Sequence, residues 1–527
     1  MNNSTSSELR SFYWLLAGIV VLFGFSMWNH PFIPSMEPRF GEAIREMAET
    51  GEYLIPIKNG LAYIMYPPLY YWMALGGKLA GLPDTVAIRL PAAIAFIVWL
   101  VWLVRLQKLL FPTWPSVMLP LIGAALPGVL FNFFIAQTDG LLILGTLIAF
   151  TGFARFRLNQ IQFGFPWELW LGVTLAVAAK GPVGMIITLP AMVLEILLEC
   201  WHSSRDLKTG RIRSAFGAAF NSALTMGWAR GLGLVVLINA PWYIAAGFKE
   251  GWEFCRAILI YQNVTRFLEG FAHLQPWWYY GKTIWYDFFP ISLLFPFGLY
   301  CVWRKPDDFS RRLPAVWALY TIFFFSLSQS KQGKYLLPAA PAITMVGLLA
   351  LDYLWSERTR QRIKTWLQRW ATGFLIVFGI IAIIALPFYG DRIGGLADLK
   401  TIRNTVNKTP GRIYTYQWPR SMMIYELGYP LPYARSSRDL YSKLHNGDIR
   451  PGDYLLVARK FLPQPGHTPD ENTLYPAPAA PYFELVLSLK MEGHLNLYRV
   501  LPGANEAPIP DTPTPSPVQW WEQFDTD

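Results

Sequence analysis

Apolar stretches of about twenty residues recur from the start of this chain to about residue 389, each long enough to cross a bilayer as a helix. A spanning helix satisfies its own backbone hydrogen bonds, so a pattern of this kind admits little besides a helix bundle. Composition agrees. Of the 527 residues, 53% are hydrophobic and only 15% charged, where a soluble protein carries roughly a quarter charged residues. The spans fall at about 11–30, 85–104, 113–134, 138–155, 166–179, 182–200, 229–248, 284–303, 313–328, 335–354 and 370–389, about eleven in all and at most thirteen. The predicted fold class is mainly α: a polytopic membrane helix bundle with amphipathic helices at its outer face and a small C-terminal extracytoplasmic α/β domain.

Loop charges set the expected topology. Arg105 and Lys108 follow the second span, Arg155 and Arg157 the fourth, and Arg205, Lys208, Arg211 and Arg213 the sixth. Arg304, Lys305, Arg311 and Arg312 follow the eighth, and Arg358, Arg360, Arg362 and Lys364 the tenth. All fall on one side, which the positive-inside rule makes cytoplasmic, together with the N-terminus. The 31–84 loop, with six acidic and four basic residues, falls on the other. The net charge of +10 therefore reads as a topology signal and not as a nucleic-acid face. Cys200, Cys255 and Cys301 show neither metal spacing nor a disulfide framework. The first apolar run, preceded only by Arg10, reads as an uncleaved span.

Three domains are expected: a transmembrane catalytic domain over 1–390, a soluble α/β domain over 391–501, and a proline-rich disordered tail over 502–527. In the second, the segments around Arg412–Tyr416, Tyr454–Val457 and Phe483–Leu487 read as strands, with Leu495–Val500 returning antiparallel after a turn at Gly493.

The 31–84 loop holds the most informative stretch. Glu37-Pro38 suits a helix start and Gly51 its end, with Phe40, Ile44 and Met47 at helical spacing. Such a helix between two spans is expected to lie along the membrane surface, with Tyr66 to Trp72 at the headgroup boundary. Ionisable residues at the mouth of a bundle are functional candidates. On the expected outer side these are Glu37, Asp139, Lys180, Arg266, His273, Lys331 and Lys334. Glu37 and Asp139 are the candidate catalytic acids, Glu37 as base and Asp139 in support. Several cations at one mouth suit a phosphate or pyrophosphate. Each residue also has an ordinary role: a helix-start charge for Glu37 and Asp139, headgroup snorkelling for the lysines. No P-loop and no glycine-rich strand-to-helix turn is present.

Six strings resemble the GT-C membrane glycosyltransferases, in the branch of the bacterial aminoarabinose transferases and protein O-mannosyltransferases. They are EPRFGEAIREMAETGEYLIP, PPLYYW, AKGPVG, NAPWYIA, HLQPWWYY and SKQGKYLLPAAPAI, in the family's order between Ser35 and Ile343. The resemblance implies an inverting transferase that moves a sugar from an isoprenoid phosphate carrier to a lipid, glycan or protein acceptor outside the cytoplasm of a bacterial inner membrane. It implies substrate binding by Arg39, Lys180, Arg266, His273, Lys331, Lys334 and Tyr335. No cofactor is implied with certainty, and a divalent metal is left open. Met36 stands where the family often has a second acid, Tyr66 where a lysine commonly precedes the paired prolines, and Gln262-Asn263 where aminoarabinose transferases have Glu-His. These departures point away from aminoarabinose transfer to lipid A. Two other classes compete: an inactive relative that binds a lipid phosphate sugar, and a transporter of lipid-linked sugar, which would instead favour charges near the midplane.

Overall fold

A computed structural model describes residues 3–34, 36–63, 65–158, 164–203, 225–269, 273–390, 396–417, 419–463, 473–474, 478–479, 481–489 and 495–510. The loop cations Arg205, Lys208, Arg211 and Arg213, the turn at Gly493 and the tail beyond residue 510 lie outside the described residues. The chain divides into two compact units: Met1–Trp28 with Met65–Ile383, and Asn29–Ile64 with Ile384–Asp527. The 29–64 segment thus belongs with the C-terminal part of the chain.

Among the described residues, seven helices are long and apolar enough to cross a membrane, and an eighth counts if Tyr279–Asp287 and Ile291–Arg304, bent by 115°, form one span. Of the remaining expected spans, one is broken, one is shorter, and one is a continuous 19-residue helix outside that apolar set. The 113–134 segment divides into Met118–Ala124 and Pro127–Phe134, because Pro127 forces Leu126 into an extended conformation. The 166–179 segment is the helix Trp167–Lys180, and 313–328 lies within Phe309–Leu327.

The helices Asp139–Arg157 and Trp167–Lys180 pack antiparallel along their whole length. Glycine makes the approach: a Cβ on Gly145 would lie 2.8 Å from the Gly172 carbonyl oxygen, and one on Gly152 would lie 2.1 Å from the Leu169 nitrogen. Small residues at such a seam let two backbones touch where lipid offers no hydrophobic drive. The antiparallel pairing brings the start of one helix and the end of the next, Asp139 and Lys180, to the same end of the bundle.

In the second unit a short hairpin pairs β1 (Ile57–Lys58) with β2 (Leu61–Ala62). The expected strands form β3 (Ile413–Tyr416), β5 (Tyr454–Ala458), β6 (Phe483–Leu489) and β7 (Leu495–Val500), and Tyr433–Ala434 adds β4. The sheet order is β4-β3-β5-β7-β6, parallel from β4 to β5 and antiparallel through β7 and β6. Every residue of β3 is buried, as befits a central strand covered on both faces. The expected return of Leu495–Val500 is met by its antiparallel pairing with β6.

The helix Glu37–Thr50 ends at Gly51, whose φ of 73° lets its N–H reach back to Met47. It does not lie open along a surface. Its polar side is buried as well as its apolar one, Glu42, Arg45 and Glu46 included, and it packs on the helix Ser421–Leu427. The aromatic run after it also differs from expectation: Tyr70 and Tyr71 are core residues, Tyr70 donating to the Ile88 carbonyl at 2.6 Å, and Trp72 alone of these three is exposed.

Candidate functional site

In the helical unit the site grows from Asp139. Its carboxylate sits at a helix start, which favours a negative charge, and Lys180 sits at a helix end, which favours a positive one. The Lys180 ammonium donates to Asp139 Oδ1, and Lys334 Nζ lies 3.6 Å from Oδ2. Lys334 also approaches Gln137 Oε1 at 3.5 Å. Tyr66 and Tyr335 bracket Lys180, their ring centroids 5.6 and 5.4 Å from the ammonium. Aromatic faces at this range attract a cation, the more so when it is dehydrated.

Arg266 follows a π-helical stretch, Ala257–Thr265, and donates to Gln262 Oε1 at 3.2 Å. Its buried Nε has no hydrogen-bond partner among the described residues. Burial opposes ionisation of the Tyr66 phenol, yet Lys180 and Lys334 outweigh it, with Arg266 adding to the same field, and hold its pKa below the usual tyrosine value. Gly181, with φ at 75°, turns the chain directly after Lys180; a Cβ there would lie 3.6 Å from the Tyr243 hydroxyl and 3.8 Å from Asn263 Nδ2. The Tyr243 hydroxyl is buried and without a hydrogen-bond partner among the described residues. Two cations therefore stand at one carboxylate, a third shares their field at Tyr66, and donors without partners among the described residues lie nearby. Such an arrangement has the chemistry to accept an anion.

Asp139, Lys180, Lys334 and Tyr335 are thus brought together, and Arg266 joins their field. Lys331 has other work. It is 4% exposed, and its ammonium donates to the carbonyls of Gln275, at 2.9 Å, and Ser328. The backbone around it forms a bridge between Leu274 and Ser330, while His273 is exposed, adopts a φ of 57° and accepts from the Lys331 N–H. Tyr66 and Tyr243 adjoin the cluster without being among the expected binders; a tyrosine does not stand out in an aromatic-rich chain as a charge does, and Tyr335 is expected only through the resemblance. Among the described residues no three His, Cys, Asp or Glu side chains converge as a metal-ligand set. Asn263 donates to the Ile258 carbonyl at 2.8 Å.

In the second unit Glu37 is fully buried, and its Oε2 accepts the Ile33 N–H at 2.7 Å. Arg39, two residues on, is half-buried. Along the same helix Arg45 makes a two-pronged contact with Glu42, at 3.1 and 2.7 Å, and reaches Glu49 at 2.7 Å and the Gly428 carbonyl at 3.0 Å. Glu46 accepts the N–H groups of Asn59 and Gly60 at 2.7 and 2.8 Å. Asn59 in turn holds both sides of the Leu431 backbone, at 3.1 and 2.7 Å.

No family model matches the chain. An uncharacterised protein of Aquifex aeolicus is 23% identical over 72% of this chain and 70% of its own length. The undecaprenyl phosphate-alpha-4-amino-4-deoxy-L-arabinose arabinosyl transferase 1 of Pseudomonas fluorescens is 23% identical over 73% of this chain, which spans 64% of that relative's length. The crystal structure of ArnT from Cupriavidus metallidurans bound to undecaprenyl phosphate superposes with a TM-score of 0.68 at 16% identity, covering 93% of this chain and 98% of that one. The apo form of the same protein gives 0.70. In sequence the chain is similar to the aminoarabinose transferases, and it shares the fold of ArnT.

Proposed function

We propose that this protein transfers a sugar from a polyprenyl phosphate carrier to an acceptor at the outer face of the bacterial inner membrane, with inversion at the sugar carbon. The observation that carries the reading is the pair Lys180 and Lys334 on one buried carboxylate, Asp139, with Arg266 adding to the cationic field at Tyr66. The relatives' names and the bound undecaprenyl phosphate of the structural neighbour supply the donor class.

In this reading the cations hold the donor phosphate and stabilise the charge that grows on it as the bond from phosphate oxygen to the sugar carbon breaks. Asp139 keeps Lys180 and Lys334 oriented and neutralises part of their charge when no donor is bound. Tyr66, whose phenol stands in the cationic field, donates to a phosphate oxygen. Glu37 takes the proton from the acceptor hydroxyl or amine as the new bond to the sugar carbon forms. Lys331 serves the architecture of the site and not the phosphate, since its ammonium is already spent on two carbonyls. The acceptor is a lipid, a glycan or a protein; the sugar is a hexose or a pentose.

The test is mass spectrometry of glycolipids, surface glycans and glycoproteins from cells with and without the protein, alongside binding of undecaprenyl phosphate to the purified chain. A sugar-bearing species lost with the protein, together with saturable binding, is the expected result. No change in any glycan class, with no binding, removes the reading.

A further inference from the structure

Glu37 is held from behind by a wedge. Its Oε2 accepts the Ile33 N–H at 2.7 Å, and the residue before Ile33 is Phe32, 5% exposed. The Phe32 ring lies between two surfaces. On one side it meets the Tyr425 ring, centroid to centroid at 4.6 Å, on the helix Ser421–Leu427. On the other it lies over Gly41, one turn along the helix that Glu37 begins. A Cβ on Gly41 would sit 2.3 Å from Phe32 Cε2 and 2.7 Å from Cζ, so only glycine leaves room for the ring. Gly41 has no need of its conformational freedom here, because it lies inside a regular helix, where glycine is less favourable than alanine. Its presence is explained by the ring across it.

We infer that Phe32, seated between Gly41 and Tyr425, is a positioning residue that fixes the Ile33 N–H against the Glu37 carboxylate, so that the C-terminal part of the chain sets the aim of the proposed base. The inference rests on the reading of Glu37 given above. A hydrogen bond from Ile33 fixes one carboxylate oxygen. The wedge fixes the Ile33 backbone itself, since Phe32 cannot rotate away without leaving Tyr425 or striking the helix at residue 41. A displacement of about 1 Å at such a group costs on the order of a hundredfold in rate.

Gly41→Ala tests it. The methyl group pushes the Phe32 ring while improving local helix propensity. Purified protein in nanodiscs is assayed with the total polyprenyl lipid extract of the host as donor source, by mass spectrometry of the sugar-bearing species that is lost from cells without the protein. Undecaprenyl phosphate affinity is measured on the same samples. The expected result is a fall of about 10- to 100-fold in transfer at saturating donor, with affinity unchanged. In Gly41→Ala with Phe32→Leu, the smaller side chain makes room for the methyl, and transfer recovers by about tenfold. Phe32→Ala alone loses transfer as Gly41→Ala does, and it reads the wedge even if Gly41→Ala fails to insert. Native transfer in both single variants, or a Gly41→Ala defect that Phe32→Leu leaves untouched, overturns the positioning role while leaving Glu37 as base. Native transfer in Glu37→Gln overturns the base assignment instead.

Discussion

Two of the ionic clusters among the described residues, each centred on a buried group, are opposite in character. Around Asp139 one carboxylate faces Lys180 and Lys334, Arg266 shares their field at Tyr66, and two donors, Arg266 Nε and the Tyr243 hydroxyl, have no hydrogen-bond partner among the described residues. Around Arg45 one guanidinium faces Glu42, Glu46 and Glu49, and the network spends its polar atoms on its own chain, on the N–H groups of Asn59 and Gly60 and on the Gly428 carbonyl. Leaving a buried polar atom unpaired costs about 1–3 kcal/mol, so a fold tolerates it where something else repays the debt. A satisfied cluster is architecture. An unsatisfied one with excess charge awaits a ligand of the other sign.

The comparison breaks most readily at Glu37. Glu37→Gln keeps shape and most hydrogen bonding but cannot take a proton from the acceptor. Transfer is expected to fall by about a hundred- to ten-thousandfold, with insertion and undecaprenyl phosphate binding near native. A helix-start charge alone is worth only about 0.3–1 kcal/mol, which affects stability and not turnover. Native product formation in this variant removes Glu37 as base and moves the assignment to Asp139.

The two lysines sharpen the contrast at the next level. Lys180→Met removes one charge-assisted contact to an anion, worth about 1.5–3 kcal/mol, or roughly ten- to a hundredfold in undecaprenyl phosphate affinity. The substitution also leaves Asp139 with Lys334 alone, so the protein loses stability. Adding Asp139→Asn relieves that charge, and the double variant is expected to regain stability while affinity stays low. Lys331→Met should show the reverse pattern: native affinity in calorimetry, but a lower melting temperature, because two carbonyls lose their donor. Equal affinity losses at both positions would dissolve the distinction between a spent cation and an available one.

Asn59 offers a smaller effect in the second unit. Asn59→Ala removes both bonds to Leu431, and each buried partner left open costs about 1–3 kcal/mol. Hydrogen exchange over 421–434 is expected to quicken, with undecaprenyl phosphate affinity unchanged. Protection at the native level would show that packing alone joins these segments.

Much of this was legible in the chain. Apolar length and period predict the helices, since both follow from the bilayer thickness and the helix rise. Gly51 as a helix end and four of the strands follow from local rules. Asp139, Lys180 and Lys334 announce themselves as charges interrupting apolar sequence. Partnership does not announce itself. Lys331 and Lys334 are three residues apart in one polar loop, and only the fold aims one at carbonyls and the other at a carboxylate. The helix Glu37–Thr50 carries an amphipathic pattern that suits a membrane surface equally well; its polar face is buried because the N–H groups of Asn59 and Gly60 and the distant Gly428 carbonyl supply partners.

The smallest predicted effect is a pH dependence confined to the Arg45 cluster. Burial pushes the Glu42 carboxyl up to about 8 against the pull of Arg45, with Glu46 adding to the rise. One guanidinium cannot fully compensate three carboxylates at close range, so the most buried of them keeps its proton longest. A carboxyl whose folded pKa exceeds its unfolded one binds its proton more tightly in the folded state. Its contribution to stability is fully present below about 4.5 and is lost as pH rises through about 8. Exchange protection over 37–50 and 421–434, corrected for intrinsic rates, is therefore expected to fall between pH 5.5 and 8.5. In Glu42→Gln, which cannot ionise, that fall should disappear, while the pH response of the Asp139 helix stays as in the parent. Protection that is flat with pH in the parent, or that falls equally in Glu42→Gln, would mean Glu42 is already ionised across this range and that Arg45 compensates it in full.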